Sequence, residues 1–119
     1  MLKRRLKAFK YALDGLVDLI KTQPNARIHL FVTIVVVGAG IFFNLSVPEW
    51  CLITLTVAVV FAAEAFNTAL EYLTNLVSPD YHPLAGKTKD VAAAGVLIVA
   101  IGAVIIGLII FLPKIYVLF

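Results

Sequence analysis

A single cysteine in 119 residues has nothing to pair with, which excludes a disulfide-stapled secreted scaffold. Charge is also scarce, at 14% of residues, about half the share of a soluble domain. Disorder is excluded, because the net charge is only +3 on a chain that is 62% hydrophobic. A soluble domain of this length could not bury that much apolar surface, and the mean hydropathy of +1.03 makes the same point. There is no internal repeat and no low-complexity tract. What is present is a set of long apolar runs. They imply an all-α integral membrane protein with room for about three spans.

The few charges set the topology. Ile28–Pro48 gives 21 positions without Asp, Glu, Lys or Arg, Trp50–Ala63 gives 14, and Val91–Pro113 gives 23. At about 1.5 Å per residue, the first and third runs each cross a hydrocarbon core of about 30 Å. The middle run reaches that length only if its helix continues through Glu64, Asn67 and Glu71 to Val77. No Pro or Gly between Cys51 and Ser78 ends it. Lys3, Arg4, Arg5, Lys7, Lys10, Lys21 and Arg27 precede the first span, and Lys87 and Lys89 follow the second. Nine of the ten basic residues therefore lie on one side, which the positive-inside rule makes the cytoplasm. Trp50 falls at the opposite interface, and Cys51 beside it reads as a small packing residue.

The first 21 residues are no signal peptide, because Asp14 and Asp18 interrupt what would be its apolar region. Leu2, Leu6, Phe9, Leu13, Val17 and Ile20 recur every three or four residues, with charges between them. That pattern predicts an amphipathic helix lying on the anionic cytoplasmic leaflet, and Pro24 opens the next helix. The expected organisation is one membrane unit over residues 1–119. It comprises a surface helix over 1–22, spans over 26–46, 50–77 and 91–113, and a cytoplasmic loop over 78–90.

Glu64, Asn67, Thr68, Glu71 and Asn75 fall on one stripe of a helix. Glu64 lies roughly 21 Å along the span from Trp50, inside the membrane. An ionised residue there costs about 2.5–3.5 kcal/mol, so the stripe is expected to face other helices or a cleft and to mark function. Asn and Thr in spans also hold helices together by hydrogen bonds, but a carboxylate adds charge that helps only if it binds a cation or moves a proton. The segment Ser78–Asp90 supplies donors and cations, which serve equally as phosphate ligands or as topology signals. Small residues in the third span, Ala92, Gly95, Gly102 and Gly107, allow close helix approach and oligomerisation.

Three segments carry a resemblance: Glu64-Ala-Phe-Asn67-Thr68-Ala69-Leu70-Glu71, Tyr81-His82-Pro83-Leu84-Ala85-Gly86 and Lys89-Asp90-Val91-Ala92-Ala93. Together with Phe9, Ala12 and Gly15 and with Asn25, Arg27, Ile28 and His29, they resemble the bacterial diacylglycerol kinase and undecaprenol kinase family over nearly the whole chain. The resemblance implies a homotrimer in the cytoplasmic membrane, with active sites shared between neighbouring subunits, that phosphorylates a membrane lipid alcohol from ATP with Mg²⁺. Glu64 would be the general base, supported by Asn67. Glu71 would hold the metal, and Lys89 would contact the phosphates. Asp90 and the Asp80, Tyr81, His82 stretch would contact adenine, and Arg4 and Tyr11 match nucleotide-contacting positions. Gln23 stands where the family commonly has a second metal-binding glutamate, and Asn75 where an aspartate is often found. Arg27–Leu30, His82–Ala85 and Lys89–Ala93 look closer to the undecaprenol branch. No nucleic-acid partner is expected. The competing reading is a small proton-coupled transporter or channel subunit using Glu64 as its ion site; a purely structural membrane subunit is a third. Small multidrug transporters, the nearest comparison in size, have four spans and lack a polar segment like 78–90.

Overall fold

Local chemistry sets the helix boundaries. In the computed structural model, which describes all of Met1–Phe119, four helices and no strands form: α1 (Leu2–Thr22), α2 (Pro24–Phe42), α3 (Val47–Val77) and α4 (Pro83–Leu118). Pro24 occupies the first turn of α2, where its missing N–H costs nothing. At the other end of α2 the chain reverses through Asn44, the one non-glycine residue with positive φ, at 52°. Leu45 N–H donates to Gly40 O (3.1 Å) and Asn44 N–H to Ile41 O (3.3 Å), the paired closure of a Schellman motif. Ser46 then starts α3 with a capping box. Its Oγ accepts from Glu49 N–H (3.3 Å), while Glu49 Oε1 accepts from Ser46 N–H (3.1 Å).

Three helices, α2, α3 and α4, are long and apolar enough to cross a membrane. Their boundaries depart from the expected ones. The first span ends at Phe42 rather than 46, because the Asn44 turn closes it. The second begins at Val47, three residues before Trp50, because the capping box lies at Ser46. The expected loop over 78–90 shrinks to 78–82. His82 Nδ1 accepts from Leu84 N–H (3.1 Å) and Pro83 fills the first turn, so α4 starts there. Lys87, Lys89 and Asp90 are therefore helical. Pro113 does not end α4, which runs on to Leu118, and membrane helices tolerate such a proline.

Only nine of 119 residues are buried within the chain, too few for a self-sufficient core. The helices form a slab of 55 × 43 × 21 Å. Leu45, Ile53 and Ile110 pack together at the end of the slab near the α2–α3 turn, against Val36, Trp50, Val57, Ile106 and Phe111. There Lys114 pairs with Glu49 (3.1 Å) and ties α4 to α3. Cys51 is exposed rather than packed in the chain's interior, because the α3 face that carries it has no neighbour within this chain. On α4, a Cβ added at Gly95, Gly102 or Gly107 meets nothing within 4 Å, so the side-chain direction at each is open within this chain.

Candidate functional site

Part of the candidate site gathers at the opposite end of the slab, where α1, α2 and α3 meet. Glu64 is the largest fully buried side chain of the protein, 1% exposed. Its carboxylate has one partner. His29 Nε2 of α2 lies 3.1 Å from Glu64 Oε1. One turn further along α3, Asn67 Oδ1 and Thr68 Oγ1 are buried without any hydrogen-bond partner. Buried polar atoms are almost always paired, so these two stand out as capacity left for a ligand or a bound water. Glu71 is half-buried, and Asn75 is exposed at the end of the stripe.

Asn75 is not idle. Lys89 Nζ donates to Asn75 Oδ1 at 2.6 Å, which brings the phosphate-ligand candidate of α4 onto the carboxylate stripe of α3. Because Lys89 sits two turns inside α4, its reach is set by helix packing rather than by a loop.

Surface helix α1 is clasped to the same region. Tyr72 OH donates to Asp18 Oδ2 (2.8 Å) and lies 3.2 Å from Thr22 Oγ1. Thr22 Oγ1 in turn donates to Asp18 O (2.8 Å) and accepts from Gln23 Nε2 (3.2 Å). The clasp holds Gln23, next to Thr22, at the end of α3 that carries Glu71, next to Tyr72. Arg27 turns away, donating from Nη1 to Lys21 O (3.1 Å).

Other expected residues are not drawn together within this chain. Arg4 and Tyr11 are exposed on α1, Asp80 and Tyr81 in the 78–82 turn, and Asp90 on α4. Asp80 lends only its carbonyl, which accepts from Ser78 Oγ–H (2.9 Å). His82 spends Nδ1 on capping α4.

No three His, Cys, Asp or Glu side chains converge on a point that could hold a metal. The oxygen donors present, the Glu71 carboxylate and the Gln23 amide, still suit Mg²⁺. That ion prefers hard oxygens, keeps several waters and takes part of its coordination from substrate phosphates. The set fits a metal that arrives with a nucleotide.

Sequence reasoning missed three participants. His29 lies within an apolar run and is not among the Asp, Glu, Lys and Arg residues that mark its ends, so it passed as part of a span. An intramembrane ionisable residue is nonetheless a functional signal by itself. Asp18 and Tyr72 gave no signal, since their pairing depends on how α1 docks.

With this geometry in place, the comparison with known proteins is decisive. The family model for prokaryotic diacylglycerol kinase matches residues 10–111. The chain belongs to that family. It is therefore a membrane lipid kinase, and a nucleotide is its phosphoryl donor. Of the proposed site residues, only Arg4 lies outside the matched span. Among its relatives in the family, undecaprenol kinase of Bacillus subtilis (strain 168) is 38% identical over 113 residues, covering 95% of this chain and 92% of that one. A diacylglycerol kinase of Synechocystis sp. is 40% identical over 109 residues, 91% of this chain but 62% of the longer relative. The diacylglycerol kinase of Escherichia coli (strain K12) is 28% identical over 102 residues, 86% of this chain and 84% of that one.

Proposed function

We propose that the chain transfers the γ-phosphate of ATP to the hydroxyl of a polyprenol, with undecaprenol as the leading substrate, in the bacterial cytoplasmic membrane. The observation that carries this reading is the buried Glu64 carboxylate on a membrane-spanning helix that also bears Glu71 and meets Lys89 through Asn75. The choice of a prenol is supported by likeness to an undecaprenol kinase over nearly the full length of both chains.

In this mechanism Glu64 accepts the hydroxyl proton as the lipid oxygen attacks the γ-phosphorus and the bond to ADP breaks. Asn67 and Thr68 offer the two unpaired buried oxygens one turn away, and Asn67 supports the reacting groups. Lys89, steered by Asn75, neutralises phosphate charge, since phosphoryl transfer depends mainly on positioning and electrostatic stabilisation. Glu71 and Gln23 would hold Mg²⁺, which would offset the negative charge of the phosphates. Arg4, Tyr11, Asp80, Tyr81, His82 and Asp90 contact the nucleotide once neighbouring subunits of a homotrimer enclose it. The N-terminus and the 78–82 turn face the cytoplasm, where ATP is found.

The test is transfer of label from ATP in mixed micelles, with undecaprenol and diacylglycerol supplied in separate tubes. Phosphorylated undecaprenol is the expected product. Label in diacylglycerol alone would overturn the prenol assignment, and label in neither would overturn the mechanism.

A further inference from the structure

Glu64 presents a difficulty for any base that must turn over. It is 1% exposed, so a proton it accepts has no direct route to water. Its one hydrogen-bonding neighbour is better placed. The His29 side chain is 23% exposed and lines a groove of about 400 Å³ between α2, α3 and α4. The other polar side chains of that groove are already committed to their own helices. Thr33 Oγ1 donates to His29 O (2.7 Å) and Thr56 Oγ1 to Leu52 O (2.6 Å). His29 also lies only five residues from Pro24, about 8 Å along α2 from its polar end.

We infer that His29 is the positioning residue and proton carrier for Glu64, a role that rests on Glu64 being the base. Holding Oε1 through Nε2, the imidazole fixes the carboxylate so that its other oxygen faces the lipid hydroxyl. After phosphoryl transfer, exchange with water moves the neutral ring's proton from Nε2 to Nδ1, and the proton on Glu64 passes to the vacated Nε2. The resulting imidazolium releases its Nδ1 proton to water, which restores the Nε2–H form that holds the carboxylate. Glu64 is left as carboxylate and the ring as neutral imidazole, with no other reactant consumed.

Histidine suits this step because its charge changes in the physiological range. The groups around it are few. On α3 the ring faces Glu64, while the groove wall from α4 (Ala100, Ala103, Val104, Gly107 and Leu108) bears no titratable group. On α2, Arg27 is engaged with Lys21 O. On α1, Asp18 is engaged with Tyr72.

The experiment compares the full-length chain with His29→Ala, His29→Gln and Glu64→Gln in lipid micelles. It reads kcat, the KM for ATP, thermal unfolding and rescue by added imidazole. His29→Ala is expected to lower kcat about 10²-fold, the usual scale of positioned proton transfer, with the KM for ATP unchanged. Imidazole then raises kcat of His29→Ala, increasingly so as pH rises and its neutral form dominates, and leaves the parent protein unaffected. His29→Gln keeps an N–H donor and the fold but stays slow. Full activity in His29→Gln would show that only a hydrogen bond is required and would overturn the relay. So would unchanged kcat in His29→Ala, or a loss that imidazole does not relieve. Near-normal turnover in Glu64→Gln would overturn the underlying base assignment instead, whatever the His29 variants do.

Discussion

Lys89 Nζ of α4 lies 2.6 Å from Asn75 Oδ1 of α3. Asn75 thus aims the lysine at the helix that carries both intramembrane glutamates, and the amide leaves the lysine's charge uncancelled for phosphate. Lys89→Met is expected to raise the KM for ATP about 10- to 100-fold, as a charge-assisted hydrogen bond of about 1.5–3 kcal/mol is lost. Asn75→Ala costs less, about fivefold, because the lysine remains but wanders. Steady-state kinetics against ATP at saturating lipid separates the two. Equal losses would mean that Asn75 itself contacts the nucleotide.

Glu64→Gln keeps the shape of the buried side chain and a carbonyl oxygen for His29. Nucleotide binding should survive while turnover falls about 10²- to 10⁴-fold, the signature of a lost proton acceptor. Titration with a non-hydrolysable ATP analogue, alongside turnover, checks both halves.

The two proposed metal ligands are expected to respond in opposite directions to single changes. Glu71→Gln should raise the Mg²⁺ concentration for half-maximal activity about tenfold, equivalent to ~1.4 kcal/mol. Gln23→Glu should lower it, because a carboxylate attracts the ion more strongly than an amide oxygen. A Mg²⁺ titration at fixed total ATP measures both shifts, and an unmoved midpoint in Glu71→Gln would remove Glu71 from the metal site.

Far from the chemistry, Gly40 packs under Trp50. A Cβ at Gly40 would stand 2.6 Å from Trp50 Cη2 and 2.9 Å from Leu45 Cδ1, both inside normal contact. Gly40→Ala therefore forces the indole or the α2–α3 turn to move, a destabilisation of about 1–3 kcal/mol. Trp50 is the sole tryptophan, so its fluorescence reports the displacement directly during thermal unfolding in detergent.

Membrane class, three spans and the polar stripe of α3 were legible in the chain because hydropathy and helical periodicity are local properties. Glu64 and Glu71 announce themselves by sitting in an apolar segment, whatever surrounds them. The turn chemistry was legible only in part. Pro24 read as a helix start, yet Pro83 with His82 before it starts α4 just as clearly, within a segment that reads as loop by composition. Asn44 and the Ser46–Glu49 box likewise moved two boundaries by a few residues.

The partners were decided by the tertiary structure alone. His29 meets Glu64 across 35 residues of sequence, and Lys89 meets Asn75 across 14. Spacing along one helix says which residues share its face, but not which face of a second helix arrives opposite, or at what height. That register is set by how α2 and α4 each pack against α3. The sequence by itself determined that a carboxylate would lie in the membrane. Only the packing of α2 against α3 decided that it would be wholly buried, and that an imidazole would be its one link to the surface.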